Sequence, residues 1–107
     1  FEMEDAFIQK ITALLENNIA DEDFALPQLC QKIGMSRSQL FRKMKALTNQ
    51  SPSDFIRNYR LHAAKQLLLT TQLTVSEIAY RVGYKDLAHF SKSFTEAFGI
   101  NPSSFKK

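Results

Sequence analysis

The sequence predicts an all-α fold made of two copies of one helical unit. Three observations carry this. Apolar residues recur at three- and four-residue spacing, and no stretch sustains the alternation of a strand. The three glycines and three prolines fall at segment boundaries and act as punctuation. The chain also repeats itself: Leu26, Leu29, Cys30, Ile33 and Gly34 return as Val75, Ile78, Ala79, Val82 and Gly83, each 49 positions later. The second turn is one residue longer, so the offset becomes 50, pairing Ser36 with Asp86, Leu40 with Phe90, Arg42 with Lys92 and Met44 with Phe94. Asn49 then pairs with Gly99, Pro52 with Pro102 and Phe55 with Phe105, so the whole unit is duplicated.

A first helix is expected over about 4–20, where Phe7, Ile8, Ile11, Leu14, Leu15 and Ile19 form one apolar stripe. Asp21-Glu22-Asp23 breaks it. A short helix follows at about 26–33, and Gly34 ends it in the left-handed conformation that glycine adopts without strain. Ser36 and Gln39 form a capping box that starts a helix at 37–48, with Leu40, Met44 and Leu47 facing inward and Asn49 closing it. Ser51, Pro52 and Asp54 start the next helix, which reaches about Thr70. Its apolar residues form two rows, Phe55-Tyr59-Ala63-Leu67 and Ile56-Ala64-Leu68 with Leu61 beside it, so it is covered on two sides. Thr74 and Glu77 repeat the capping box, and a last recognition-like helix spans 87–98 with Phe90, Phe94 and Ala97 inward. The resulting divisions of the domain 1–107 are an acidic leader helix (1–23), a first helix-turn-helix (24–50), a linking helix (51–72) and a second helix-turn-helix (73–107).

Composition narrows the function. At 107 residues with 44% hydrophobic and 23% charged side chains, the chain is an ordinary globular domain with no membrane-spanning run or signal peptide. A lone cysteine forbids an internal disulfide and fits a cytoplasmic setting. Phe1 at the start points to a piece of a longer protein. The formal charge of +3 conceals an asymmetry: residues 1–25 carry seven acids and one base, whereas residues 26–107 carry thirteen bases and four acids. A basic body behind an acidic leader suits a polyanionic partner.

Each unit is a short helix, a glycine-bearing turn and a second helix, the grammar of a helix-turn-helix. The outer face of the second helix carries Arg37, Ser38, Gln39, Phe41, Arg42, Lys43 and Lys45 in the first copy and Leu87, Ala88, His89, Ser91 and Lys92 in the second. Such a helix fits the major groove of B-DNA, where arginine bonds guanine O6 and N7 and an aromatic side chain meets thymine methyls. The linking helix of about 20 residues spans roughly 30 Å, close to the roughly 34 Å of one DNA turn, so the two recognition helices are expected in successive major grooves. Any mismatch with straight DNA would bend the duplex, at about 1–6 kcal/mol.

The stretches "LPQLCQKIGMSRSQLFRKMK", "SPSDFIRNYRLHAAKQLLLTT" and "LTVSEIAYRVGYKDLAHFSKSFTEAFGINPSSF" resemble the DNA-binding domain of the AraC/XylS family of transcription regulators. The resemblance runs from about Phe24 to Phe105 and implies an all-α domain of about seven helices, two helix-turn-helix units joined by a long helix. Carried onto this sequence, it implies base contacts by Ser38, Phe41 and Arg42, with Arg37 beside them, and by Leu87, Ala88, His89 and Lys92. It implies phosphate contacts by Ser36, Gln39, Lys43, Lys85 and Ser91. Leu87 and Ala88 lack hydrogen-bonding side chains, and Thr95 stands where the family often has lysine, so the first unit is expected to supply most direct readout. The leader and "DEDFALPQL" are similar to output domains of hybrid two-component sensors and response regulators. An upstream receiver or sensor domain is therefore expected, with promoter DNA as partner and RNA polymerase as a further one.

Other side chains are read more plainly. Cys30, opposite Ala79, is a small buried side chain rather than a reactive thiol. His62 on the linking helix is exposed or capping. Arg57, Arg60 and Lys65 touch phosphate or pair with acids such as Asp54, and Arg60 is the best placed for an internal bridge. Two isolated histidines and one cysteine give no metal set, and no cofactor is implied. No paired carboxylates, glycine-rich phosphate loop or nucleophile-base pair argues for an enzyme. A protein-interaction module would leave the doubled basic faces unexplained.

Overall fold

A computed structural model describes residues 2–106, with side chains from residue 6 onward. Phe1 and Lys107, the ends of the expected domain range, and the side chains of Glu2, Glu4 and Asp5 in the acidic leader lie outside the described residues. Seven helices run through the described residues: α1 (Glu2–Asn17), α2 (Leu26–Ile33), α3 (Arg37–Thr48), α4 (Pro52–Thr70), α5 (Val75–Arg81), α6 (Leu87–Phe98) and α7 (Pro102–Lys106). They form two compact units.

The first unit takes residues up to Asn18 and Phe24–Arg57. α1 packs beside α2, and α2 beside α3. Ile11, Leu15, Phe24, Leu29, Leu40, Met44 and Ile56 are its buried apolar side chains. Local chemistry sets the helix ends. Ala25 has no side-chain oxygen to cap α2, so only half a capping box forms, the Ala25 N–H donating to Gln28 Oε1 at 3.1 Å. Gly34 closes α2 at φ 74°. The box on α3 is complete, with Gln39 N–H donating to Ser36 Oγ at 3.2 Å and Ser36 N–H to Gln39 Oε1 at 2.9 Å. Asn49 ends α3 at φ 60°, a conformation asparagine tolerates better than most residues. Ser51 Oγ then accepts from Asp54 N–H at 3.2 Å to start α4.

The second unit takes Ile19–Asp23 and Asn58–Lys107. Its core joins Leu61, Ala64 and Leu68 of α4 to Ile78, Ala79 and Val82 and to Tyr84, Phe90 and Phe94. Aromatic rings fill it: Phe94 lies edge-on to Phe98 at 4.6 Å and to Phe105 at 5.7 Å, and Phe90 is 5.2 Å from Tyr84. Such pairs contribute roughly 0.5–1.5 kcal/mol each beyond the area they bury. Thr74 and Glu77 cap α5 reciprocally, at 3.1 and 2.8 Å. Asp86 caps α6 by accepting from His89 N–H at 2.7 Å.

Three expectations are corrected. α1 stops at Asn17, so Ile19 is not on its stripe; it packs against the core of the second unit instead. Ala97 is exposed, because α6 turns Phe90, Ser93 and Phe94 inward, with Phe98 packed against the core beside Phe94. Cys30 is half-buried, whereas Ala79 at the matching place is fully enclosed.

The reason Ile19–Asp23 joins the second unit is Arg60. Arg60 is 8% exposed, and its guanidinium donates from Nη1 to the carbonyls of Ile19 at 2.6 Å and Val82 at 2.7 Å, and from Nη2 to that of Asp21 at 3.2 Å. Burial lowers its pKa, against the pull of Tyr84 and Asp21, but arginine stays charged in proteins. The internal bridge expected of Arg60 is thus made to backbone carbonyls. Gly83 follows Val82 at φ 92°, and a Cβ there would fall on the Arg60 guanidinium and the Ile19 carbonyl.

Candidate nucleic-acid interface

In the first unit, burying Leu40 and Met44 turns the opposite face of α3 to solvent. Arg37, Ser38, Gln39, Phe41, Arg42, Lys43 and Lys45 are all exposed on it. Phe41 remains 49% exposed, an unusual position for a large aromatic ring. It helps line an open concavity of about 340 Å³ formed by Leu26, Arg37, Ser38, Phe41, Arg42 and Pro52. Four residues expected to touch bases therefore share one hollow. Leu26 and Pro52 form its apolar walls and were not singled out from sequence, because Leu26 read as an inward position and Pro52 as a helix start. Among the described residues, neither Arg37 nor Arg42 makes an ion pair or a side-chain hydrogen bond, so both guanidiniums are available to an acceptor.

The expected phosphate groups of this unit are partly engaged. Ser36 and Gln39 cap α3, yet each keeps a donor, the hydroxyl of one and the amide of the other. Lys43 holds its ammonium 4.5 Å over the Phe7 ring of α1, and Lys45 Nζ donates to Asn49 O at 3.4 Å. Arg57 pairs with Asp54 at 3.1 Å on an exposed surface.

The second unit presents Leu87, Ala88, His89 and Lys92 on the exposed side of α6. The His89 ring sits edge-on to Tyr84 at 5.3 Å. Ser91 is half-buried, and its carbonyl accepts from Thr95 Oγ1 at 2.8 Å. Lys85, just before the cap of α6, is exposed and pairs with Asp23 Oδ1 at 3.1 Å. That hydrogen bond and the charge of Asp23 raise the Lys85 pKa. The Asp23–Lys85 and Phe7–Lys43 contacts both lie outside what the sequence revealed; the only hint was the acidic run after the first helix. On α4, Lys65 lies 5.1 Å from the Phe98 ring centroid, and exposed His62 meets the same ring edge-on at 5.4 Å.

Among the described residues, no three His, Cys, Asp or Glu side chains gather to hold a metal. No helix among them is long and apolar enough to cross a membrane.

Known proteins share the fold and much of the sequence. A helix-turn-helix domain family matches residues 29–107. Histidine kinase P4 of Formosa agariphila is 38% identical over 97% of this chain, which corresponds to 8% of the kinase. The HTH-type transcriptional regulator GbdR of Pseudomonas aeruginosa is 38% identical over 89% of this chain and 26% of that protein. The chain therefore spans only a small part of these curated relatives. The crystal structure of the C-terminal domain of the two-component response regulator yesN from Fusobacterium nucleatum matches with a TM-score of 0.86 at 29% identity, covering 95% of this chain and 99% of that one.

Proposed function

The chain belongs to the AraC-type helix-turn-helix family of DNA-binding transcription-regulator domains, and from that premise we propose that α3 and α6 are its recognition helices, each entering a major groove. The hollow on α3 is the observation that carries this reading. It combines two unpaired guanidiniums with an exposed phenyl ring and an apolar wall. Guanine edges suit the first and thymine methyls the second. Arg37, Ser38, Phe41 and Arg42 read bases in the first unit, and Leu87, Ala88, His89 and Lys92 in the second. Ser36, Gln39, Lys43, Lys85 and Ser91 grip phosphate. Because Leu87 and Ala88 offer only methyl and shape contacts, the first unit carries more of the direct readout.

The 19-residue α4 is roughly 28 Å long at about 1.5 Å per residue, and two half-sites in successive grooves, roughly 34 Å apart, are part of this reading. The divisions 1–23, 24–50, 51–72 and 73–107 serve as the working map of the domain. Likeness to a response-regulator C-terminal domain and to part of a histidine kinase supports a cytoplasmic output domain controlled by a receiver or sensor. The chain itself carries no catalysis. It acts at promoters, with RNA polymerase as the partner of the bound regulator.

Selection of bound duplexes from a random library of about 30 base pairs, roughly three helical turns, tests this at two salt concentrations. Two enriched motifs one helical turn apart are expected. Binding that falls steeply with salt while no motif is enriched would leave phosphate gripping without base readout and reject the assignment of α3 and α6.

A further inference from the structure

The second unit holds an acidic segment against a lysine assigned to phosphate. Ile19–Asp23 contains three consecutive carboxylates, Asp21, Glu22 and Asp23, all exposed. Arg60 holds its backbone, taking the carbonyls of Ile19 and Asp21 while Nη1 also reaches Val82 O in the turn before α6. Ile19 adds apolar packing against the core. A buried cation thus fastens the strap by its backbone and leaves its negative charges facing outward. Asp23 meets Lys85 at 3.1 Å, one residue before the N-cap of α6.

We propose that this strap is an autoinhibitory contact: Asp23 occupies Lys85 and the strap's carboxylates repel the DNA backbone at the start of α6, so neutralising or displacing the strap strengthens DNA binding. The inference rests on the reading of Lys85 as a phosphate contact. Contact between a free ammonium and B-DNA releases about 0.9 of a condensed counterion. An ammonium already compensated by a carboxylate gains less from the same contact. The Lys85 and Asp23 side chains are 64% and 75% exposed, and ion pairs so placed are weak. The lysine is therefore held but exchangeable, and the inhibition is graded. Carboxylates within a Debye length of the phosphates, about 10 Å at 0.1 M salt, add repulsion that salt removes.

The test uses the full chain and a mixed-sequence duplex, since phosphate gripping does not depend on sequence. Affinity is measured by fluorescence anisotropy across a salt series for Asp23→Asn, Lys85→Gln and the double variant, with circular dichroism confirming the fold. Asp23→Asn is expected to tighten binding about two- to five-fold at low salt and to steepen the salt slope by up to about one. Lys85→Gln is expected to weaken binding and flatten the slope by less than one, because the paired lysine supplies only part of a counterion, and Asp23→Asn is expected to gain less in the Lys85→Gln background than alone. If Lys85→Gln weakens binding but Asp23→Asn does not strengthen it, the strap is a structural tether and the inference is wrong. If Lys85→Gln changes nothing even in the Asp23→Asn background, the phosphate assignment of Lys85 fails and the inference falls with it.

Discussion

Leu29, Leu40, Met44 and Pro52 of the first unit and Ile78, Phe90, Phe94 and Pro102 of the second are buried at matched places. The side chains around these cores differ. Arg37 and Arg42 of the first unit stand free beside a hollow, whereas the second presents leucine, alanine and histidine and has its Lys85 paired. The turn glycines differ too. Gly34 and Gly83 both adopt positive φ, but the space a Cβ would occupy is open at Gly34 and filled by Arg60 and Ile19 at Gly83. Packing requirements hold both copies to one backbone plan. Surface chemistry is free to diverge, and the roles proposed for the two units rest on that divergence.

The glycines give the sharpest test of this difference. Gly83→Ala is expected to cost about 2–5 kcal/mol, from left-handed strain of roughly 1–2 kcal/mol plus displaced Arg60 hydrogen bonds that leave a buried carbonyl unsatisfied. Gly34→Ala is expected to cost only the strain, about 1 kcal/mol. Urea denaturation of both variants checks this. Equal losses would mean Arg60 moves aside freely and does not lock the second turn.

The contrast between reading faces predicts smaller changes, visible only with DNA. Arg42→Ala should cost about 1–3 kcal/mol of binding and blur preference at one base position. Lys92→Ala at the matched place should cost less and shift no base preference. Competition binding against single-base variants of the selected duplex decides it, and equal loss of preference in both would end the claimed asymmetry. Lys43→Ala should weaken all sequences alike and lower the salt slope by about one.

Much of this was legible in the sequence, because local signals and repeat agreed. The bounds of α2, α3 and α4 follow from Gly34, Ser36 with Gln39, and Ser51 with Pro52, residues whose backbone preferences act within one turn. The outward face of α3 followed from the positions of Leu40 and Met44. What escaped was decided over long range. Nothing near Ile19 says that the helix stops at Asn17; a guanidinium forty-one residues away takes its carbonyl. Nothing near Ala97 says it is exposed, because α6 packs through Phe98 on the neighbouring edge. Asp23 reads as a helix break until the fold puts Lys85 beside it.

The smallest expected effect compares the caps that start each unit. Ala25 and Gln28 of α2 correspond to Thr74 and Glu77 of α5, so the same backbone N–H meets a neutral amide in one copy and a carboxylate in the other. Hydrogen bonds from Thr74, backbone first, hold the Glu77 pKa below its ordinary value of 4.5. A carboxyl depressed on folding stabilises the native state above its unfolded pKa, and that contribution disappears as pH falls through the folded value. Acidification below 4.5 should therefore loosen the start of α5 while the Gln28 contact on α2 is unaffected. Amide exchange at Thr74 and Glu77, followed against Ala25 and Leu29 across this range, reports the two caps separately. Glu77→Gln should remove the pH dependence at α5. If α2 and α5 loosen together, protonation is acting through the stability of the whole domain, and the cap is not the sensitive element.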